Sequence, residues 1–210
     1  MGGTAPELGA PGGWIDRSDE DLMLAYRRGE TAAFEALLRR HERGVYRFAL
    51  RFLGDRMKAE EVTQESFLRI IRAASRYEPR ASFRAYLYRI ARNLCLDLVR
   101  RKPREMRAAD RPADCGAAGL EEAADQRPGP ESRAGADQMR ALIGRALRRL
   151  PPEQREVFLL KEVREMSLQD VAEVTGANLN TVKSRLRYAL LRLREELESQ
   201  GIGGEIGDAL

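Results

Sequence analysis

Residues 167–194 carry the side chains whose types and spacing best suit contacts with DNA. Ser167, with Asp170 three positions later, predicts a capping box at the start of a short helix. Gly176 predicts a left-handed helix end, and Asn178 predicts the cap of a second helix. Two short helices joined by such a turn are typical of a helix-turn-helix, whose second helix enters the major groove.

The second of these helices has one apolar and one polar, basic face. Val182, Leu186 and Leu190 recur at i, i+4 and i+8 and are predicted to point inward. The remaining positions supply the predicted DNA-binding residues, which are Asn180, Thr181, Lys183, Ser184, Arg185, Arg187 and Tyr188. A solvated charged helix in an ordinary bundle is the alternative, but the coincidence of caps, turn and basic face favours DNA binding.

A second concentration of positive charge lies between Arg69 and Arg107, where only Glu78, Asp97 and Glu105 carry negative charge. Such a block is typical of a surface that binds a polyanion, although exposed helices can carry it for solubility alone. Over the whole chain the net charge is only +4, so the distribution of charge is more informative than its sum.

The composition argues against several other classes of protein. Cys95 and Cys115 form no CxxC pair and His41 is the sole histidine, so we expect no metal site and no disulfide scaffold. We find no phosphate-binding glycine loop or hydrolase motif, so nothing in the composition indicates an enzyme, and we expect no cofactor and no catalytic residue. Without an apolar run of about 18 residues or a signal pattern, we expect a cytoplasmic protein with no membrane insertion.

The apolar periodicity is helical throughout and predicts an all-α fold of two small domains on a flexible linker. Helices are expected from Ser18 to Gly29, from a Thr31 cap to Gly54, over 57–75, and from Ser82 to Pro103. In the third of these, Val62, Phe67, Ile70, Ile71 and Ala74 are predicted to point inward. Further helices are expected from about Asp137 and from Pro151-Pro152.

These elements divide the chain into five predicted parts. Residues 1–17 are expected to be a disordered tail from which Trp14 and Ile15 can dock on the body, and 199–210 a second disordered tail. Residues 18–102 form the first domain and 137–198 the second. Residues 103–136, rich in alanine, glycine, proline and acidic groups, form a flexible acidic linker.

Motifs in both domains resemble the extracytoplasmic-function (ECF, group 4) sigma factors of the sigma-70 family. The σ2-like segments are FEALLRRHERGVYRFALRFLGD (34–55), AEEVTQESFLRII (59–71) and FRAYLYRIARNLCLDLVRRK (83–102). The σ4-like segment runs over residues 147–197. The resemblance implies a sigma factor that binds core RNA polymerase and directs transcription initiation at promoter DNA through the −10 and −35 elements.

The resemblance also implies how the chain contacts core polymerase. An acidic stripe opposite the core face of the third helix would dock on the β′ coiled coil, and σ4 would contact the β flap. Acidic groups of the stripe opposite basic groups of the coiled coil would speed the encounter and fix how the two surfaces align. The residues of this stripe are Glu60, Glu61, Gln64, Glu65 and Leu68.

For the −10 element, the resemblance implies a loop that takes one flipped-out base, read with the help of Asn93. An amide offers both a donor and an acceptor to a base edge, and Tyr77 could stack on the base or instead pack at the helix end. Arginines around the loop would bind phosphates. The predicted −10 residues are Tyr77, Glu78, Pro79, Arg80, Ala81, Ser82, Tyr86, Arg89, Asn93, Arg100 and Arg101.

Two positions depart from the family pattern, which often has Trp at Tyr86 and Arg at Tyr188, so no promoter consensus is carried over. Relatives are commonly held by an anti-sigma factor, which the resemblance makes an expected partner. The alternative function is a stand-alone helix-turn-helix regulator, which leaves the acidic stripe and the base-pocket loop unexplained.

Overall fold

The structure, a computed structural model, describes residues 14, 16–79, 81–105 and 130–200. In these ranges the chain forms eight α-helices and no strand, as the periodicity predicts. The first domain contains α1 (Asp19–Arg27), α2 (Thr31–Leu53), α3 (Arg56–Ala73), a 3-10 turn (Ala74–Arg76) and α4 (Phe83–Glu105). The second contains α5 (Pro130–Arg149), α6 (Pro152–Phe158), a π-helical turn (Leu159–Val163), α7 (Leu168–Thr175) and α8 (Leu179–Glu198).

Side-chain caps start several helices, because the first backbone N–H groups of a helix have no partner within it. The Ser18 hydroxyl accepts from the Asp21 N–H at 3.1 Å, and the Ser82 hydroxyl accepts from the Ala85 N–H at 3.1 Å. The predicted Thr31 cap is wrong: Thr31 is the first residue of α2, and Glu30 occupies the cap position without a side-chain bond.

The core of the first domain is aromatic. Phe48 packs edge-on against Tyr88, with ring centroids 5.6 Å apart, and lies 6.0 Å from Phe52. Helix α1 closes this core by burying Leu22 and Met23 completely. Burial of such side chains is the main stabilising term in a domain of this size.

Three boundaries or faces differ from the predictions. Helix α4 continues two residues past Pro103, because a proline in the last turn removes only one hydrogen bond of the helix. Helix α5 begins at Pro130, inside the segment predicted to be linker, since proline suits the first turn. Ile71, predicted to point inward, is 40% exposed on α3.

The predicted tails and most of the predicted linker, residues 1–13, Ile15, 106–129 and 201–210, lie outside the described ranges. Trp14 is described and is buried, as a residue docked on the body would be.

The second domain has the predicted helix-turn-helix. Ser167 and Asp170 form a reciprocal capping box, and Gly176 ends α7 in the left-handed conformation with a φ of 67°. The Asn178 side chain accepts from the Thr181 N–H at 2.8 Å at the start of α8. Val182 is fully buried as predicted, whereas Leu186 and Leu190 are half-buried, and Ala189 and Leu193 complete the buried face of α8.

The two domains pack against each other, with α7 on α4 and both α5 and the π-helical turn on α2. Arg155 of α6 is buried and donates to the carbonyl of Phe52, in the last turn of α2, at 2.6 Å. Burial and the neighbouring Arg148 lower the pKa of Arg155 to about 10. Carbonyls at a helix C-terminus carry partial negative charge and suit a guanidinium.

A glycine in α2 permits a further contact between the domains. A Cβ at Gly44 would lie 2.5 Å from Arg164 Nη2 and 2.8 Å from the hydroxyl oxygen of Tyr88. The Arg164 guanidinium lies 5.4 Å from the Tyr88 ring centroid. The small residue therefore leaves the space that the second domain's arginine occupies.

Candidate nucleic-acid interface

Helix α8 presents most of its predicted DNA-binding residues at the surface. Lys183, Ser184, Arg187 and Tyr188 are exposed, the last at 48%, and the Arg187 guanidinium lies 5.2 Å from the Tyr188 ring centroid. An open cleft of about 690 Å³ surrounds the start of the helix and is lined by Asn178, Leu179, Asn180, Thr181, Ser184, Arg185 and Tyr188. A basic helix that begins in an open concave surface can be inserted into a groove of DNA.

The predicted −10 residues lie in the loop after the 3-10 turn and along the length of α4 that follows it. Arg89, Asn93 and Arg100 are exposed on α4, and Tyr86 is half-buried with the Arg89 guanidinium 5.8 Å from its ring centroid. In the loop, Glu78 and Pro79 are exposed. Arg80 lies outside the described residues, as does the side chain of Arg101, whose backbone is part of α4.

Tyr77 is not placed as a stacking surface. Its side chain is only 6% exposed, and its ring centroid lies 6.4 Å from Phe83 and 6.0 Å from Tyr86. Burial, reinforced by the charges of Glu20 and Asp19, raises the pKa of Tyr77 to about 12. Of the two alternatives that the sequence left open for Tyr77, the structure shows the ring packed at the helix end.

Helix α1 contacts both ends of this loop, which the sequence did not lead us to expect. Arg27 Nη1 donates to the Tyr77 carbonyl at 2.8 Å, and Glu20 Oε1 accepts from the Phe83 N–H at 2.6 Å. The helix is itself fixed to α2, because Asp19 Oδ2 lies 2.7 Å from Nε2 of the buried His41.

Glu156 of α6 connects the two predicted DNA-reading helices. Its side chain is fully buried and accepts two hydrogen bonds from Arg92 of α4, at 2.7 and 3.0 Å. It also lies 3.7 Å from Arg185 of α8, while a third donor of Arg92 reaches Asn93 Oδ1 at 3.1 Å. Burial raises the pKa of Glu156, and Arg92 opposes that rise.

The acidic stripe lies on the exposed side of α3, as predicted. Glu60, Glu61 and Gln64 are exposed, and Leu68 is 43% exposed. Glu65 accepts from Arg69 at 2.8 Å, and this bond lowers its pKa. A shallow groove between α3 and α4 borders the stripe and is lined by Glu61, Val62, Glu65, Arg69, Leu94, Asp97 and Leu98.

Comparison with known proteins finds a family match in each of the two domains. The family model "Sigma-70 region 2" matches residues 37–105, and "Sigma-70, region 4" matches residues 140–193. The ECF RNA polymerase sigma factor SigE of Mycolicibacterium smegmatis is 35% identical over 88% of this chain and 71% of its own length. The chain belongs to the ECF sigma factors of the sigma-70 family. SigM of Mycobacterium tuberculosis is 34% identical over 91% of this chain and 90% of its own length.

Solved structures show the same fold. CnrH, in complex with the cytosolic domain of CnrY, aligns with a TM-score of 0.64 over 87% of this chain and 99% of CnrH, at 23% identity. RpoE of Bartonella quintana, in complex with the anti-sigma factor NepR, aligns with a TM-score of 0.59 at 24% identity, over 79% of this chain and 96% of RpoE.

This sigma factor therefore binds core RNA polymerase and directs transcription initiation at promoter DNA. A stand-alone regulator would share region 4 but would not explain the region 2 match over 37–105. Within the described part of the chain, no helix is both long and apolar enough to cross a membrane.

Proposed function

We propose that this sigma factor reads the −35 element with α8 and the melted −10 strand with α4 and the loop before it. The domains concerned are residues 18–102 and 137–198, joined through 103–136. The chain itself supplies no catalysis and works in the cytoplasm, where core polymerase is found. The observation that carries the proposal is one exposed face of α4, on which Arg89, Asn93 and Arg100 extend along the helix away from the loop at residues 77–82.

For the −35 element, the exposed arginine and lysine side chains of α8 suit both bases and phosphates. Arg187 is exposed, while Arg185 is half-buried and lies 3.7 Å from Glu156, a distance that leaves hydrogen-bond donors free. A guanidinium can bind the two acceptors of a guanine in the major groove together. Arg185 and Arg187 are therefore the proposed readers, with Asn180, Thr181, Lys183, Ser184 and Tyr188 around them.

For the −10 element, Asn93 is the proposed base reader and Tyr86 the proposed aromatic neighbour. Tyr86 is half-buried, so one part of its ring remains available beside the loop. Glu78, Pro79, Ala81 and Ser82 are the proposed loop contacts for the flipped-out base, next to the packed Tyr77, and Arg80 is assigned to the same site from the sequence. Arg89, Arg100 and Arg101 bind phosphates of the opened strand.

For the polymerase, we assign the β′ coiled coil to the stripe on α3 and the β flap to the second domain. Exposed acidic groups beside an exposed leucine suit a basic, partly apolar helical partner. An anti-sigma factor is a further proposed partner, because CnrH and the Bartonella RpoE were each solved with a bound regulator.

The test of the −35 assignment requires a promoter that this sigma factor recognises. Holoenzyme made from the full chain and core polymerase is used to select transcribed templates from a randomised library. Arg185→Ala and Arg187→Ala are then assayed on the selected promoter and on single-base −35 variants. A base-reading arginine loses about 1–3 kcal/mol of discrimination at one or two positions. If neither substitution changes −35 binding, α8 is not the reader.

The −10 assignment is tested by permanganate footprinting of Asn93→Ala holoenzyme on the same promoter. We expect less open complex on duplex DNA, with core binding unchanged, and a smaller loss on a template with a pre-melted −10 bubble. Wild-type reactivity together with unaltered −10 base preference would show that Asn93 does not read a base.

A further inference from the structure

Helix α1 holds the backbone at both ends of the proposed −10 loop. Glu20 and Arg27 are seven residues apart, so they lie on one face of α1 and are separated by about 10.5 Å along its axis. Glu20 accepts a hydrogen bond from the Phe83 N–H, and Arg27 donates one to the Tyr77 carbonyl. One rigid element thus sets the distance between the residues that begin and end the loop.

Each contact satisfies a backbone group at a helix or turn boundary. The Phe83 N–H is at the start of α4, where backbone donors have no helical partner, and a carboxylate there is also favoured by the helix dipole. Ser82 binds a different donor, the Ala85 N–H, so Glu20 does not duplicate the Ser82 cap. The Tyr77 carbonyl follows the 3-10 turn Ala74–Arg76.

The helix is held firmly enough to act as a fixed support. Leu22, Met23 and Ala25 are fully buried, and Asp19 pairs with the buried His41 of α2. Movement of α1 along its axis would expose the apolar side chains and separate Asp19 from His41. Helix α1 therefore fixes the position of both ends of the loop relative to the core of the domain.

We propose that Glu20 and Arg27 are positioning residues for −10 recognition, which fix the shape of the loop that receives the unpaired base. This inference rests on the proposed assignment of residues 77–82 and Asn93 to the −10 element. A base pocket discriminates only while its walls keep their spacing, because a loose pocket accommodates the wrong base as well as the right one. In this role Glu20 and Arg27 act through the backbone of the loop rather than through contacts of their own with DNA.

The test measures base discrimination with full-length holoenzyme. For each variant, transcription from the selected promoter is divided by transcription from a promoter with one −10 base changed, and the same ratio is taken for a −35 change. We expect Glu20→Ala and Arg27→Ala each to lower the −10 ratio, by about three- to tenfold. The −35 ratio should not change.

Conservative and neighbouring variants separate positioning from general stability. Glu20→Gln keeps an oxygen acceptor for the Phe83 N–H and should restore most of the −10 ratio. Arg28→Ala removes the adjacent arginine, which pairs with Glu30 at 3.5 Å, and should leave both ratios at the wild-type value. A merely structural role would instead lower the melting temperature and reduce transcription from all promoters alike, with both ratios intact.

Asn93→Ala is measured alongside so that two failures can be told apart. If Asn93→Ala lowers the −10 ratio and the α1 variants do not, the positioning role is wrong while the proposed −10 site stands. If Asn93→Ala also has no effect, the proposed site fails and the inference fails with it.

Discussion

Glu156 of the second domain accepts two hydrogen bonds from Arg92 of the first, although its side chain is fully buried. Breaking a buried ion pair by removing one partner costs about 3–5 kcal/mol, because the other charge stays behind without compensation. The Arg92 side chain is 18% exposed, so water compensates it only in part. The docked arrangement of the domains therefore depends on this pair.

We first predict that Glu156→Gln loosens the docking of the two domains. The amide keeps the shape of the carboxylate but loses its charge, so the radius of gyration from small-angle X-ray scattering should increase while helicity by circular dichroism is retained. Glu153→Gln, an exposed change on the same helix, is the control and should scatter like the wild type. An unchanged radius in Glu156→Gln would show that the pair does not hold the domains.

The same substitution should strengthen DNA binding by the free protein. Glu156 lies 3.7 Å from Arg185 of α8, so its carboxylate competes with a DNA phosphate for the Arg185 guanidinium. The Gln substitution removes that negative charge. We expect an increase of a few fold, on the order of 1 kcal/mol, in affinity for a −35 duplex at low salt, measured by fluorescence anisotropy. Glu153→Gln changes the net charge equally, and an equal effect in that control would attribute the increase to net charge alone.

Charge reversal on α3 should weaken the association with core polymerase. In the double variant Glu61→Lys, Glu65→Lys, the stripe would repel a basic partner, while the lost pair with Arg69 is a surface contact worth about 0–1 kcal/mol. Affinity is measured by anisotropy with labelled protein, and circular dichroism should match the wild type. The double variant Glu35→Lys, Glu42→Lys on α2 is the control. Undiminished core binding by the α3 variant would show that the stripe is not the surface that binds core polymerase.

Tyr77 makes stability fall at alkaline pH. Its pKa is raised to about 12 in the folded protein, whereas the unfolded tyrosine titrates near about 10. The contribution of Tyr77 to the free energy of unfolding is therefore fully present below about pH 10. It is lost as the pH rises toward 12, because the unfolded chain releases the phenol proton before the folded protein does. Difference absorbance of phenolate should show a late-titrating group that Tyr77→Phe removes. Titration of that group near pH 10 would mean that the ring is not buried in solution.

Local features were predictable from the sequence because local chemistry determines them. The capping box of Ser167 and Asp170, the left-handed Gly176 and the Asn178 cap depend on residues within a few positions of each other. The exposure of Glu60, Glu61, Gln64 and Leu68 on α3 followed from helical periodicity. These features place most of the proposed contact residues.

Features that depend on distant parts of the chain were missed. Tyr88 packs on Phe48 of its own domain and also lies against Arg164 of the other, and Glu156 is paired with Arg92 of the other domain. No helical period encodes a partner that far away in sequence. The contact of α1 with the proposed −10 loop joins residues 63 positions apart, Glu20 and Phe83, and only the folded chain brings them together. A run of apolar residues likewise could not show that Ile71 remains exposed.

Run-off transcription on the selected promoter tests the central claim most directly. Core polymerase is assayed with and without the full chain, on templates with the promoter intact, with the −10 element scrambled and with the −35 element scrambled. The account predicts one discrete transcript that requires both the chain and core polymerase and is lost or strongly reduced when either element is scrambled. Transcription by core polymerase alone at the same start, or a transcript indifferent to both elements, would contradict it.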